Sequence, residues 1–115
     1  MEADEKIIVL TSVGSEDMAL DIAQELVESR SAACVNMIPR LRSVYRWKGK
    51  VCDDRESLLI IKTRRDHFDQ VMKTIIEIID YECPEIIALP VVTGSKKFLG
   101  WIDNCLEGGE GDISE

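Results

Sequence analysis

Apolar residues recur in the first third of the chain in two patterns, a continuous β-branched run and a stripe with helical spacing. The run over residues 6–11 predicts a central strand that is covered on at least one face. Ser15 then offers an N-cap for an amphipathic helix that ends near Ser31. The apolar stripe of this helix recurs every four residues, at Met18, Ile22 and Leu26.

The next segment has the pattern of a long β-hairpin. Residues 33–47 predict a strand, and because a proline cannot donate to the ladder we expect a bulge or a sheet edge at Pro39. A turn at residues 48–49 leads into a return strand over residues 50–63. The far half of that strand, residues 58–61, is apolar on both faces and should be central, whereas its polar near half should be exposed.

The last third of the chain repeats the alternation of helix and strand. Residues 66–79 carry apolar side chains at helical spacing, and residues 85–91 predict a fourth strand in which Pro90 suits a sheet edge. Ser95 caps a short final helix. The order βαββαβ plus a terminal helix predicts an α+β fold, with a ferredoxin-like four-stranded antiparallel sheet and the first two helices on one face.

The predicted hairpin is too long for the helices that could cover it. A strand over residues 33–47 would extend for about 50 Å, whereas the helix over residues 66–79 would be about 21 Å long. The turn end should therefore project, with the side chains of Leu41, Val44, Tyr45 and Trp47. Because an isolated hairpin is marginal in water, we expect another copy of the chain to cover it. The alternative is a hairpin that folds back at the proline onto its own sheet.

The formal net charge of −8 is concentrated at the two ends of the 115-residue chain. Without the seven acidic residues before Lys6 and after Leu106, 15 acidic residues stand against 14 basic ones. The C-terminal stretch is rich in glycine and has too few apolar residues to order itself. We therefore expect one domain over residues 1–106 and a disordered acidic tail over residues 107–115, with a partner-binding tail as the alternative.

The spacing of the cysteines and the length of the apolar runs indicate the cellular compartment. The four cysteines are far apart in the sequence, which argues against a disulfide framework or a zinc knuckle and favours free thiols. The apolar runs are much shorter than the ~18 residues of a membrane span, and the first one is too short for a signal peptide. We therefore expect a cytoplasmic protein without a membrane partner.

The predicted hairpin carries several basic residues, which include Arg42 and Arg46, and a basic patch of this kind is a feature of nucleic-acid binding proteins. A ferredoxin-like RNA-binding domain stacks bases on aromatic side chains of its central strands. The predicted central strands, at residues 7–10 and 58–61, contain no aromatic residue. We therefore expect no nucleic-acid partner.

Four stretches of the sequence are distinctive, at residues 32–36, 43–50, 59–64 and 81–90. They include a hairpin with Tyr45 and Trp47 and a strand that opens with Pro84, Glu85 and Ile86. Together they resemble the CutA family of divalent-cation tolerance proteins, over roughly residues 7–106. The resemblance implies a ferredoxin-like fold, a tight homotrimer formed by pairing of sheet edges, and a link to tolerance of copper and other divalent ions.

The same resemblance implies that copper is bound in some members, by a cysteine late in the first strand and a histidine before the Tyr-x-x-Pro-Glu motif. The matching positions here are Thr11 and the pair Ile78 and Ile79, and isoleucine has no donor atom. Cys52 and Cys83 are soft donors that could take Cu(I), and they are weak metal candidates. We expect no resident cofactor.

CutA trimers also resemble PII signalling proteins, whose clefts between subunits hold small ligands. Polar and aromatic residues near strand ends are therefore the binding candidates, namely Tyr45, Trp47, Lys62, Arg64, Tyr81 and Glu82. We expect such a cleft to take a metal ion or a small anionic ligand. The alternative is structural, with the two hairpin aromatics packed in an interface and Lys62 paired with Glu82.

The residue inventory favours a binding or regulatory module over an enzyme. The chain has one histidine, His67, and neither a Ser-His-Asp set nor a phosphate-binding loop. Together with what the resemblance to the CutA family implies, we expect a trimeric, non-enzymatic protein associated with the copper response. A trimeric scaffold for other proteins and a PII-like small-ligand sensor are the alternatives.

Overall fold

The computed structural model describes residues 2–112, and this part of the chain contains four β-strands and three α-helices. In chain order they are β1 (Lys6–Val13), α1 (Glu16–Glu28), β2 (Cys34–Trp47), β3 (Lys50–Arg64), α2 (Phe68–Ile78), β4 (Ile87–Pro90) and α3 (Lys96–Leu106). A 3₁₀ turn over Arg65–His67 leads into α2. Within residues 2–112 no helix is long and apolar enough to cross a membrane.

The four strands form one antiparallel sheet in the order β2-β3-β1-β4. This order confirms the predicted ferredoxin-like arrangement, with β3 and β1 in the centre and Val9 opposite Ile61. The fourth strand is an edge, as its proline predicts. It is shorter than the predicted residues 85–91, because pairing with β1 runs from Ile87 to Pro90.

The first two helices pack on one face of the central strands. Their apolar stripes meet alternate residues of β1 and β3 in one buried cluster, which includes Val9, Ile22, Leu26, Leu59, Ile61, Val71 and Ile75. Burial of each large aliphatic side chain stabilises the fold by about 1.5–3 kcal/mol. Ser15 caps α1 as predicted, since its hydroxyl oxygen accepts a hydrogen bond from the Met18 N–H at 3.1 Å.

A β-bulge interrupts β2 at the predicted proline. Ile38 pairs with Leu58, but the next paired residue, Leu41, faces Glu56, so β2 carries one extra residue. Arg40 takes up the irregularity with a φ of 58°. Bulges bend the strand and increase its twist, and this bulge redirects the hairpin as it leaves the sheet.

Beyond the bulge the β2–β3 hairpin projects from the body. The chain measures 53 × 27 × 22 Å along its principal axes. Side chains near the turn stay exposed, with Val44 at 67%, Val51 at 66% and Trp47 at 40% of their full accessible area. The hairpin therefore projects, as its length predicts, and does not fold back onto its own sheet.

The C-terminal helix packs at the other end of β3. Ile102 and Leu106 are buried against Ala33 and form a second, smaller apolar cluster. Ser95 caps this helix as predicted, and its hydroxyl accepts a hydrogen bond from the Phe98 N–H.

The residues after α3 contact the body, which differs from the expected disordered tail. The Glu107 carboxylate accepts a hydrogen bond from Arg64 at 2.5 Å. The Arg30 guanidinium donates to the backbone oxygen of Gly109 at 2.7 Å. The composition correctly predicts that this segment makes few apolar contacts. Hydrogen bonds from side chains of the body nevertheless hold it in place. Residues 113–115 lie outside the described part of the chain.

Candidate functional site: the hairpin cleft

A cleft of about 1080 Å³ separates the hairpin from the segment that follows α2. One wall comes from residues 43–47 and 54–56, and the other comes from residues 80–83 and Glu85. Ser12 and Gly14, at the end of β1, complete the lining. The redirected hairpin thus comes to face a segment that is distant from it in the sequence, and we call this space the hairpin cleft.

Tyr45 stands on the hairpin wall with its phenol held by a carboxylate. It lies opposite Cys52 in the strand register, and its hydroxyl donates a hydrogen bond of 2.5 Å to Asp54. This bond raises the pKa of Tyr45 to about 12, with smaller contributions from burial and from the Asp54 charge. The phenol therefore stays protonated near neutral pH and presents a fixed, uncharged ring.

Lys48 links the two walls at the hairpin turn. Its ammonium nitrogen lies 5.7 Å from the centre of the Trp47 ring and 3.3 Å from the Glu82 carboxylate. The turn has two central residues with positive φ, Lys48 at 49° and Gly49 at 82°, which suits a tight two-residue hairpin. The ion pair is largely exposed on both sides, so it contributes little to stability.

Tyr81 fixes the opposite wall to the end of β1. Its hydroxyl oxygen accepts a hydrogen bond from the Gly14 N–H at 2.7 Å. A side chain at Gly14 would place its Cβ 3.1 Å from that oxygen, which is closer than ordinary packing allows. A second, longer contact joins the Ser12 hydroxyl to Glu85 at 3.4 Å. Two contacts therefore anchor the segment that carries Tyr81 to the end of β1.

The structure brings four of the six predicted binding residues together and separates the other two. Tyr45, Trp47, Tyr81 and Glu82 line the hairpin cleft. Lys62 instead lies at the far end of β3, with its ammonium 5.5 Å from the centre of the Phe98 ring. The alternative ion pair between Lys62 and Glu82 is not formed within residues 2–112 of one chain, where Glu82 pairs with Lys48. Within a single chain, Lys62 and Arg64 are not part of this cleft.

Arg64 is committed to three carboxylates away from the cleft. It makes two 3.0 Å hydrogen bonds to Asp66 and further bonds to Asp103 and Glu107. The hydrogen bond to Asp66, then those to Glu107 and Asp103, raise the pKa of this guanidinium. The same bond lowers the pKa of Asp66, and Lys6 and Arg64 together outweigh burial to lower the pKa of Asp103. Arg64 therefore fastens β3 to α3.

Sequence reasoning missed four acidic residues of the cleft, Asp54, Glu56, Asp80 and Glu85. The signal for Asp54 was present, because a two-residue turn fixes the hairpin register and places Asp54 beside Tyr45 on one face. Asp80 and Glu85 join the cleft through the path of the segment after α2, which no periodic pattern predicts.

The candidate metal ligands are not gathered into one site. Cys83 lines the hairpin cleft and is exposed, whereas Cys52 is half-buried on the hairpin. His67 contacts Asp66 through its Nδ1 atom at 2.8 Å. Among residues 2–112, no three side chains of histidine, cysteine, aspartate or glutamate are arranged so as to hold a metal ion.

The fold and its sequence match one family. A family model described as the CutA1 divalent ion tolerance protein matches residues 7–105. The chain belongs to the CutA1 divalent ion tolerance family. It is 44% identical over 95 residues to the divalent-cation tolerance protein CutA of Thermus thermophilus, a match that covers 83% of this chain and 92% of that protein. It is 41% identical over 98 residues to the chloroplastic protein CutA of Arabidopsis thaliana, covering 85% of this chain and 54% of that protein.

Solved CutA structures share the architecture. The T. thermophilus protein superposes with a TM-score of 0.82 at 43% identity, covering 84% of this chain and 94% of that one. CutA1 from Oryza sativa gives a TM-score of 0.86 at 38% identity, covering 90% and 94%. A CutA from Archaeoglobus fulgidus is described as periplasmic, so the cytoplasmic location of this CutA chain stays a prediction.

Proposed function

We propose that this divalent-cation tolerance protein works as a self-assembled binding module. Three copies associate through their projecting hairpins and sheet edges, and the hairpin cleft binds a small ligand. The observation that carries this proposal is the exposure of apolar and aromatic side chains on the hairpin. A single chain leaves them in water, although a surface of this kind is typical of an interface.

Two further features support assembly. The exposed edge strand β4 presents Ile87 and Leu89, at 50% and 47% of their full accessible area, and in the described part of the chain no strand pairs with its outer edge. Unprotected edges of this kind favour pairing with another strand. The outer edge of β2 likewise has no partner strand among residues 2–112, so each copy offers two edges for a closed ring.

The lining of the hairpin cleft supports binding rather than catalysis. Tyr45, Trp47 and Tyr81 supply ring surface, and Glu82 supplies charge. Concave sites that combine aromatic walls with a few polar groups are typical of small-molecule sites. Within residues 2–112, the contacts of these residues with Asp54, Gly14 and Lys48 hold side chains in place, and none of these contacts activates a nucleophile.

We extend the proposed binding function to copper. Cys83 offers an exposed thiol at the hairpin cleft, and a thiolate suits Cu(I) better than Cu(II). A trimer would bring three such thiols into one assembly. We therefore expect any copper response of this chain to act through Cu(I) and Cys83.

A thermal-shift experiment tests the binding function. Protein purified without chelator is analysed for metal content, and then its Tm is measured with divalent ions, Cu(I) and a set of small organic ions. We expect at least one of them to raise Tm through preferential binding to the folded state. That rise should be lost in Trp47→Leu and kept in Trp101→Leu, a matched change on α3. If no compound raises Tm, the binding function is wrong.

A further inference from the structure

The projecting hairpin has two chemically different faces. Because side chains alternate along a strand and directly paired residues share a face, the register from Leu41 to Glu56 assigns each side chain to one face. One face carries Tyr45, Trp47, Asp54 and Glu56, with Lys50 opposite Trp47 at the turn, and the hydrogen bond from Tyr45 to Asp54 lies on it. We call this the aromatic-acidic face.

The other hairpin face is basic. It carries Arg42, Arg46 and Arg55 together with Val44, and on this face Arg42 forms an ion pair of 2.9 Å with Asp53. Arg46 and Arg55 border the hairpin cleft, but the alternation directs their side chains away from the aromatic-acidic face.

Carboxylates therefore dominate the charge inside the cleft. Asp54 and Glu56 come from the hairpin, and Asp80, Glu82 and Glu85 come from the opposite wall. Within residues 2–112, Glu56 and Asp80 form no ion pair with a basic side chain. An anion that entered would meet this charge at close range, which is unfavourable.

The chain already places one of its own cations against these walls. The Lys48 ammonium lies 5.7 Å from the centre of the Trp47 ring and 3.3 Å from Glu82. Ring faces attract a cation through their quadrupole, and this attraction strengthens when water is excluded. The exposed, flexible lysine thus occupies the position that an external ammonium group would take.

From this geometry we infer that the hairpin cleft binds an organic cation, an ammonium or guanidinium compound, between its aromatic rings and its carboxylates. The inference rests on the proposed binding function and reverses the charge of the small anionic ligand that the sequence suggests. Lys48 acts as a tethered competitor for the outer end of the cleft. A bare metal ion fits less well, because within residues 2–112 no three ligand side chains converge.

Calorimetry with 1,4-diaminobutane tests the assignment, at about 0.15 M salt so that charges beyond about 8 Å are screened. Wild type should bind the diamine saturably and should not bind pyrophosphate. Glu82→Gln should lower the affinity for the diamine at least about fivefold through loss of a close charge. Lys48→Ala should raise this affinity at least about twofold by removing the competing ammonium group.

The control is Glu25→Gln, which makes the same change of net charge on α1, outside the hairpin cleft. It should leave the affinity for the diamine unchanged. An equal loss of affinity in Glu82→Gln and Glu25→Gln would overturn the proposed site, because it would show a general attraction of the diamine to an acidic chain. A Lys48→Ala variant that fails to gain affinity would overturn the role of Lys48. Pyrophosphate binding without diamine binding would overturn the cation class and leave the proposed binding function standing. If neither compound nor any compound of the thermal-shift set binds, both proposals are wrong.

Discussion

The indole N–H of Trp101 donates a 2.7 Å hydrogen bond to the backbone oxygen of Gly111. The N–H of Gly111 in turn donates to the side chain of Asn104 at 3.0 Å, so the chain doubles back along α3. With the contacts from Arg30 to Gly109 and from Arg64 to Glu107, these bonds fasten the glycine-rich C-terminal segment to the body.

Deletion of residues 107–115 should therefore lower Tm. The deletion removes one of the three carboxylate partners of Arg64 and the backbone acceptor for Trp101, at a cost of about 1–3 kcal/mol. In a domain of this size about 1 kcal/mol corresponds to about 4–8 °C. Thermal unfolding followed by circular dichroism measures the change.

Deletion of residues 113–115 is the matched control, since it keeps every contact named above. It should leave Tm unchanged. If the longer deletion also leaves Tm unchanged, the C-terminal segment contributes nothing and the sequence expectation of a free tail is right for the whole stretch.

The difference between the expected tail and the observed one has a physical reason. Composition measures how much apolar surface a segment can bury, and residues 107–115 can bury little. It does not register backbone oxygens that accept hydrogen bonds from side chains elsewhere, such as those from Arg30 and Trp101. Those donors become available once α1 and α3 are packed together, which is a property of the tertiary fold.

Asp103→Asn should destabilise the protein near neutral pH. The carboxylate lies 2.9 Å from Lys6 and 3.0 Å from Arg64, and loss of its charge should cost about 1–2 kcal/mol in unfolding free energy. The exposed pair of Asp53 and Arg42 offers a control, and Asp53→Asn should change stability little. Urea unfolding at pH 7 measures both.

The stabilisation that the Asp103 carboxylate provides should decrease as the pH falls. The folded-state pKa of Asp103 is lowered, so its contribution is present above the unfolded value of about 3.9 and is lost as pH falls through the folded value. The gap in unfolding free energy between wild type and Asp103→Asn should therefore narrow from pH 7 to pH 3. A gap that stays constant or widens on acidification would contradict the assigned ion pairs.

Tyr45 should titrate later than an ordinary tyrosine. Its pKa is raised to about 12, first by the hydrogen bond to Asp54. Asp54→Asn should return the pKa towards the usual value of about 10. Ultraviolet titration of the phenolate is compared between the Tyr81→Phe variant and the Tyr81→Phe, Asp54→Asn double variant, so that Tyr45 is the tyrosine observed. Identical curves would show that the hydrogen bond between Tyr45 and Asp54 does not persist in solution.

Cu(II) should bind weakly. This ion favours nitrogen and oxygen ligands with imidazole as the usual anchor, and the chain supplies one histidine, His67, which is engaged with Asp66. Calorimetry under non-reducing conditions, repeated on His67→Ala and on the Cys52→Ser, Cys83→Ser double variant, measures the affinity. A sub-micromolar site that survives both sets of changes would contradict this expectation, and one abolished by His67→Ala would give that residue a metal role.

Periodic patterns predict most of the fold because they report which face of each element is buried. The order of elements, the caps at Ser15 and Ser95 and the bulge beside Pro39 all follow from local chemistry. The candidate site is predicted less well. Lys62 and Arg64 lie about 40 Å along β3 from the hairpin turn, a distance that strand geometry gives directly. Residues 80–85 reach the cleft through an irregular segment, and no periodicity describes such a path.

Self-association through the hairpin is the central claim, and the mass in solution tests it most directly. Light scattering should give wild type three times the 13.0 kDa mass of one chain. Trp47→Asp should fall to the mass of one chain, because a charge cannot be buried unpaired in an interface, while Leu20→Asp, an exposed apolar position on α1, should keep the wild-type mass. A wild type with the mass of a single chain, or a Trp47→Asp variant that keeps the threefold mass, would contradict the account.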